Sequence, residues 1–212
     1  MRNTRTSMAR RTALVAATVT AGLVLAACGG NSDSGSGGHD SHTSGSSSSS
    51  PSSSTAAHNA QDVSFAQGMI PHHQQALEMA KLAAGRASST KVKDLATRIE
   101  KAQDPEIRTM SGWLTSWGQS VPSAMPGMDH SAHSGMAGMM DSKDMAMLEK
   151  ATGAEFDTMF LTMMIEHHKG AVQMAGTEKA KGTYAPATSM ADAIITGQTA
   201  EITEMNKLLG KG

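Results

Sequence analysis

Apolar residues recur with a helical period in two stretches of the chain, and polar residues that normally face water lie on the same stripe. Take Met69 as the reference and advance about 100° per residue: Phe65, Ala76 and Ala80 fall within about 40° of it. His73 lies about 40° to one side, His72 about 60° to the other, and Met79 a little beyond His72. Asp62 stands on that stripe roughly two turns earlier. In the next stretch Ile99, Gln103, Glu106, Ile107, Met110 and Leu114 share one face.

Punctuation between these stretches predicts the elements. Asn59 is a good N-cap for a first helix that ends near Ala84, with Gly85 as the stop signal. Ser88 or Ser89 can cap a second helix reaching about Trp117. Thr152 and Glu155 have capping-box spacing at the start of a later helix, which Gly182 ends. Pro186 opens a last helix running to about Leu209, and a short helix over "SKDMAMLEKA" precedes the pair. Strand signals are absent.

A shift of 95 residues superimposes the two stretches on two later ones without a gap. Asp62, Phe65, Met69, Ile70, His72, His73, Ala76, Met79 and Ala80 fall on Asp157, Phe160, Met164, Ile165, His167, His168, Ala171, Met174 and Ala175. Further on, Ile99, Gln103, Glu106, Ile107, Met110 and Leu114 fall on Ile194, Gln198, Glu201, Ile202, Met205 and Leu209. The chain therefore holds a duplicated helical hairpin. Two hairpins bury their apolar faces most simply as a four-helix bundle, so the expected fold is all-α. The expected organisation is a first hairpin over 59–118, a Met- and His-rich linker over 119–141, and a short helix with the second hairpin over 142–212. Residues 59–212 would make one bundle domain.

The buried stripe poses a chemical question. An unpaired polar group in a bundle core costs several kcal/mol, on the order of 2–7, and here the burden is written in both hairpins. One compensation is a hydrogen-bonded network of His with Glu and Gln, with methionine as plastic filler. The other is a metal ion held by imidazole nitrogen and thioether sulfur. The doubled phrase M-x-x-H-H-x(5)-M favours the second. Thioethers suit Cu(I), imidazole suits both copper oxidation states, and zinc would call for cysteine, histidine and carboxylate. The Glu and Glu-x-x-His cage of di-iron bundles is not written here. Copper is the expected ion. Residues 125–147, "MPGMDHSAHSGMAGMMDSKDMAM", repeat the theme, adding His130 and His133 among methionines in a polar segment with no core of its own to fill. Pro71 stands where the second repeat has Glu166 and favours a kink in the first helix.

The N-terminus changes where this chemistry is expected. Arg2, Arg5, Arg10 and Arg11 precede the apolar run "ALVAATVTAGLVLAA", which reads as a signal peptide over 1–27. The following "LAAC" resembles a bacterial lipobox, making Cys28 the lipidated first residue of an exported protein on the outer face of the membrane. Export by the general or the twin-arginine route is left open. Cys28 is the only cysteine, so neither an internal disulfide nor a structural thiolate site is available. Residues 28–58 are rich in Gly and Ser and form a tether, with His39, His42 and His58 isolated in it. Four of the 18 Lys and Arg residues lie in the leader, against 19 Asp and Glu that all lie beyond it. A mildly acidic mature chain argues against a nucleic-acid role.

The phrase M-x-x-H-H-x(2)-A-x(2)-M-A followed by Q-x(2)-E-[IL]-x(2)-M resembles the domain of unknown function 305 family, over about 59–210 and in both copies. The resemblance implies a ferritin-like four-helix bundle, exported and often a lipoprotein, with copper binding and tolerance in some members. It implies Met69, His72, His73 and Met79, and Met164, His167, His168 and Met174, as metal ligands. Asp62, Glu106, Met110, Asp157, Glu201 and Met205 follow as further ligands or supporting groups. The leading function is copper sequestration, buffering or transfer, with a copper-handling protein as a partner. A metal-dependent oxidase or hydrolase is the first alternative, with Glu106 and Glu201 as its acid–base groups, although no G-x-S-x-G, P-loop or Rossmann glycine pattern is present. The second is an envelope interaction module in which a His/Glu network fixes the bundle.

Overall fold

Asn59 opens the first helix with a reciprocal cap. Its side-chain oxygen accepts from the amides of Gln61 and Asp62, while the Asp62 carboxylate takes the Asn59 amide at 2.6 Å. Helix α1 then runs over Ala60–Arg86, continuing through Pro71 and past Gly85, where the sequence predicts a stop. The chain leaves the helix instead at Ala87, whose extended backbone forms an isolated bridge to Gly153. Helix α2 spans Thr90–Ser116 after Ser89, α3 spans Ser142–Lys150 behind an Asp141 cap, α4 spans Gly153–Lys181 and α5 spans Ala185–Leu208. The capping box expected at Thr152 and Glu155 does not form: Thr152 is the N-cap of α4 but makes no side-chain cap bond.

The computed structural model describes residues 57–123 and 136–211. Among these there are five helices and no strand. The expected signal peptide, Cys28 and nearly all of the tether lie outside the described residues, as do Met125, Met128, His130 and His133. No described helix is long and apolar enough to cross a membrane.

Helices α1 and α2 pack as one hairpin and α4 and α5 as the other. The hairpins join through α1 against α4, and α3 rests on both. Helix α1 thus touches neighbours on more than one side, which explains why its apolar positions ring a polar strip. Two apolar clusters fill the bundle. One holds Met79, Met164 and Met205 with Phe156, Phe160, Leu95 and Ile99; the other holds Met69 and Met110 with Phe65, Leu114, Ala171 and Ala175. Burying each large side chain contributes about 1.5–3 kcal/mol. The architecture is the all-α bundle of duplicated hairpins that the repeat implies.

Candidate metal centre

Where α1 crosses α4, the two repeats bring the same residue face to face. The rings of His72 and His167 lie with centroids 3.8 Å apart, tilted by 43°, and both side chains are fully buried. Burial, and then the nearby His73, hold His72 down to about 3. Burial, with His72, His168 and His73 around it, holds His167 well below the usual histidine range. Both rings are therefore neutral at physiological pH, and each neutral ring keeps one nitrogen lone pair. His72 Nε2 lies 3.2 Å from the Ala137 carbonyl, a group that can only accept. That partner places the His72 proton on Nε2 and the lone pair on the buried, unpartnered Nδ1. Neither nitrogen of His167 makes a well-formed hydrogen bond, the backbone of His72 giving only a weak contact.

The second histidine of each pair is oriented by the adjacent helix of its own hairpin. His73 Nε2 donates to Glu106 at 2.8 Å, and His168 Nε2 donates to Glu201 at 2.7 Å. Each glutamate is about four-fifths buried and each histidine wholly so. A carboxylate on one ring nitrogen fixes the tautomer and leaves the lone pair on the other. Here that other nitrogen is Nδ1, buried and unpartnered in both rings. Glu106 and Glu201 consequently support histidines, and their Oε2 atoms are engaged in doing so.

The methionines are grouped across the repeats. Met69 shares its cluster with Met110, and Met174 of the other hairpin packs against it. Met164 shares its cluster with Met205 and with Met79 of the other hairpin. Of the six methionines repeated between the hairpins, each cluster therefore collects three, two from one hairpin and one from its mate. Burial is uneven: Met79 is fully buried and Met174 only half-buried. Among the described residues no three His, Cys, Asp or Glu groups converge as a metal site. A cation among these histidines needs sulfur to complete its shell.

Asp62 and Asp157 serve another purpose. The Asp62 carboxylate accepts from the amides of Thr183 and Tyr184 at 3.1 and 3.0 Å and from the Thr183 hydroxyl. Asp157 accepts from the amides of Ser88 and Ser89 at 3.2 and 3.0 Å and from the Ser88 hydroxyl. Each aspartate ties down the turn of the opposite hairpin, at equivalent positions. Ten residues separate each from the histidine pair, about 15 Å of helix at 1.5 Å per residue. Gln103 and Gln198 also lie buried on the inner faces. Neither side-chain atom of Gln103 has a partner, nor has Oε1 of Gln198, so the expected His–Glu–Gln network is realised only in its His–Glu part.

Three features escape the sequence reading. Residues 136–140 of the linker lie across the centre, with Gln75 and Met140 exchanging two hydrogen bonds of 2.8 Å. Gly170, standing where the first repeat has Gln75, is the signal that could have found them. Glu178 is fully buried beside Asp62, with its carboxyl pushed up to about 7 by burial and then by Asp62 itself. Its counterpart in the first repeat is Ala83, and that mismatch also marks it. His58, expected to stand isolated in the tether, stacks on Trp117 at 4.4 Å within an aromatic group that includes Trp113 and Tyr184.

Comparison with known proteins bears on the same region. A DUF305 protein from Streptomyces coelicolor is 32% identical, covering 71% of this chain and 93% of its own, with a TM-score of 0.64. A DUF305 fragment from Deinococcus radiodurans is 30% identical over 73% of this chain and 98% of its own, with a TM-score of 0.63. CopM in its Cu(II)-bound form is 36% identical over 69% of this chain and 94% of its own, with a TM-score of 0.59, and CopM has also been solved in a Cu(I)-bound form. No functionally curated protein shows significant similarity to the chain. The family model for the domain of unknown function DUF305 matches residues 62–209, almost all of the helical part, and the chain belongs to that family.

Proposed function

We propose that this protein binds copper outside the cytoplasmic membrane and buffers, sequesters or hands on the ion. One observation carries the reading: two neutral, buried imidazoles from duplicated motifs meet at 3.8 Å, with Nδ1 of His72 and both nitrogens of His167 without a well-formed hydrogen bond, while the methionines of the same motifs are buried or half-buried on the same two helices. Burying such nitrogens without a partner costs free energy, and a captured cation would offset it. Imidazole with thioether is a copper donor set, and thioethers, having no proton to lose, keep binding in acidic surroundings. The ligands are Met69, His72, His73, Met79, Met164, His167, His168 and Met174, with Met110 and Met205 as further sulfur donors. Glu106 and Glu201 act through the histidines they orient. CopM, 36% identical, was solved with Cu(II) and with Cu(I), which supports copper as the cargo here in either oxidation state.

Residues 1–27 act as a signal peptide, Cys28 carries the lipid, and 28–58 tether a single bundle domain of residues 59–212 to the outer membrane face. The Streptomyces coelicolor relative, considered a secreted protein, is in line with export. A copper-handling protein is the natural partner for transfer. The test is titration of the purified protein with Cu(I) and Cu(II), followed by intact-protein mass spectrometry. Replacing His72, His73, His167 and His168 together by alanine is expected to remove most of the bound copper while circular dichroism still reports a helical bundle. Full copper stoichiometry in a folded quadruple variant would sink the assignment.

A further inference from the structure

Residues 136–140 form a strap over the crossing of α1 and α4, held at three points. The Ala137 carbonyl faces His72 Nε2 at 3.2 Å. The same carbonyl oxygen approaches Gly170 so closely that a Cβ there would overlap it. Gly138, at φ +81°, lies against α4 in turn: a Cβ on it would stand 2.6 Å from the Glu166 carbonyl oxygen. Finally, Gln75 takes both the amide and the carbonyl of Met140 in a buried pair of hydrogen bonds. The strap is thus built into the bundle at the level of the histidine pair.

The strap also delivers a sulfur. Gly68 lies one turn before His72 on α1, and a Cβ on it would stand 3.8 Å from the Sδ of Met136 and 3.8 Å from the Sδ of Met174. Two thioethers, one from the strap and one from α4, therefore hang over the same bare patch of α1. The repeat shows that this is a departure from the duplicated plan. Gly68 corresponds to Met163 and Gly170 to Gln75. Both sites of divergence touch the strap, whereas the buried histidines on either side are identical. A large residue at 68 would fill the space beside the two sulfurs, and any side chain at 170 would drive the strap off.

We infer that the strap turns the symmetric histidine crossing into a one-sided centre, with Met136 joining Met174 as a two-sulfur seat for a soft monovalent cation beside His72. This deepens the copper reading and rests on it. Thioether pairs favour Cu(I) and its soft analogues over Cu(II) or zinc. The seat under the strap is accordingly a soft-cation position that the corresponding place on the other side, occupied by Met163, does not repeat.

The experiment uses the purified full chain and Ag(I), a soft monovalent ion that does not oxidise in air. Stoichiometry is read by intact-protein mass spectrometry and affinity by competition with a thioether chelator. Met136→Leu keeps the volume and removes the sulfur; one equivalent is expected to weaken about tenfold or more while the others are unchanged. Gly170→Ala, which displaces the strap without touching a donor, is expected to weaken the same equivalent with the helical signal intact. Met147→Leu, at an exposed methionine outside the centre, is expected to leave every equivalent as it was. X-ray absorption of the Ag(I) adduct is expected to lose one sulfur neighbour in Met136→Leu. If Met136→Leu matches wild type in affinity and sulfur count, the strap is not a ligand, although the copper reading survives. The strap is equally excluded if Met147→Leu weakens binding as much as Met136→Leu does. If wild type takes up neither Ag(I) nor Cu(I), both proposals fall.

Discussion

Asp62 and Asp157 occupy equivalent places on α1 and α4, and each reaches across to hold the turn of the opposite hairpin. Gly68 and Met163 also occupy equivalent places, yet one is bare under the linker and the other is a half-buried methionine with no such neighbour described. The first comparison shows how a duplicated hairpin becomes a bundle: each copy caps its mate, so neither turn is secured without the other. The second shows how a duplicated site becomes a specialised one. A linker can cross a two-fold arrangement only on one side, and the residues beneath it are then free to diverge. The two aspartates keep the symmetry of the turns they hold, and Gly68 and Gly170, the residues beneath the linker, lose it.

The largest expected effect comes from separating the two aspartates. Asp62 is fully buried and receives the Asn59 amide as well as three donors from the Thr183–Tyr184 turn, whereas Asp157 is half-buried and receives three donors in all. Burial alone would push the Asp62 carboxyl up, but the bonds from Asn59, Glu178, Tyr184 and Thr183 together hold it below the usual carboxylate range. Hydrogen bonds to a charged group contribute about 1.5–3 kcal/mol each and are not additive. Asp62→Ala is therefore expected to cost about 3 kcal/mol and Asp157→Ala about 2, read from urea denaturation midpoints at constant slope. Equal costs, or the reverse order, would mean that the two turns are not held in the way their bonding implies.

How much of this is written in the sequence depends on the range of the interaction. The helices, the duplication and the inward stripe follow from periodicity, which is local and repeats. The inward histidines His72, His73, His167 and His168 are legible for the same reason. Their partners across the bundle are less so. Helical phase places Glu106 on the correct face, but only packing decides that it meets His73 while Asp62 leaves the site for a turn 121 residues away. The grouping of Met69 with Met174, and of Met79 with Met164, depends on the antiparallel crossing of α1 and α4, which no single helix records. Gly85 reads as a stop and is helical; at a neutral interior position glycine costs about 1 kcal/mol, which packing readily overrides. The strap is the least legible part, because its contacts run mostly through backbone groups of Ala137 and Met140, which only the exchange of Gln75 for Gly170 between the repeats marks.

A smaller, pH-dependent effect distinguishes the two turns again. Glu178 stands beside Asp62 with no counterpart beside Asp157, and Gly182 allows the approach, since a Cβ there would overlap Glu178 Oε1. The Glu178 carboxyl is raised to about 7 from an ordinary 4.5, so the folded chain keeps a proton that the unfolded chain releases. Its contribution to stability is fully present below about 4.5 and is lost as pH rises through about 7. Glu178→Gln cannot ionise and should escape that loss. At about 1.4 kcal/mol per pKa unit, the variant is expected to gain on wild type by roughly 1–3 kcal/mol between pH 4.5 and 8, seen as diverging melting temperatures. Curves that stay parallel across this window would show that the carboxyl ionises freely in the folded state.

The smallest effect concerns the outer helices. Arg98 on α2 donates two hydrogen bonds to the Glu204 carboxylate on α5, at 2.7 and 2.6 Å, although both side chains are about half exposed. The bonds of the aspartates and the crossing of α1 with α4 carry the union of the hairpins, and α2 and α5 are not among the closely packed helix pairs. This pair too lacks a repeat counterpart, since Ala193 and Thr109 stand at the corresponding positions. Water and counterions compete for exposed charges, and such pairs contribute about 0.2–1 kcal/mol. Arg98→Ala is expected to lower stability by no more than about 1 kcal/mol, with most of that difference gone in high salt. A loss comparable to that of Asp62→Ala would place the junction of the two hairpins on the α2–α5 side, and the crossing of α1 with α4 would then no longer be the seam on which the histidine centre depends.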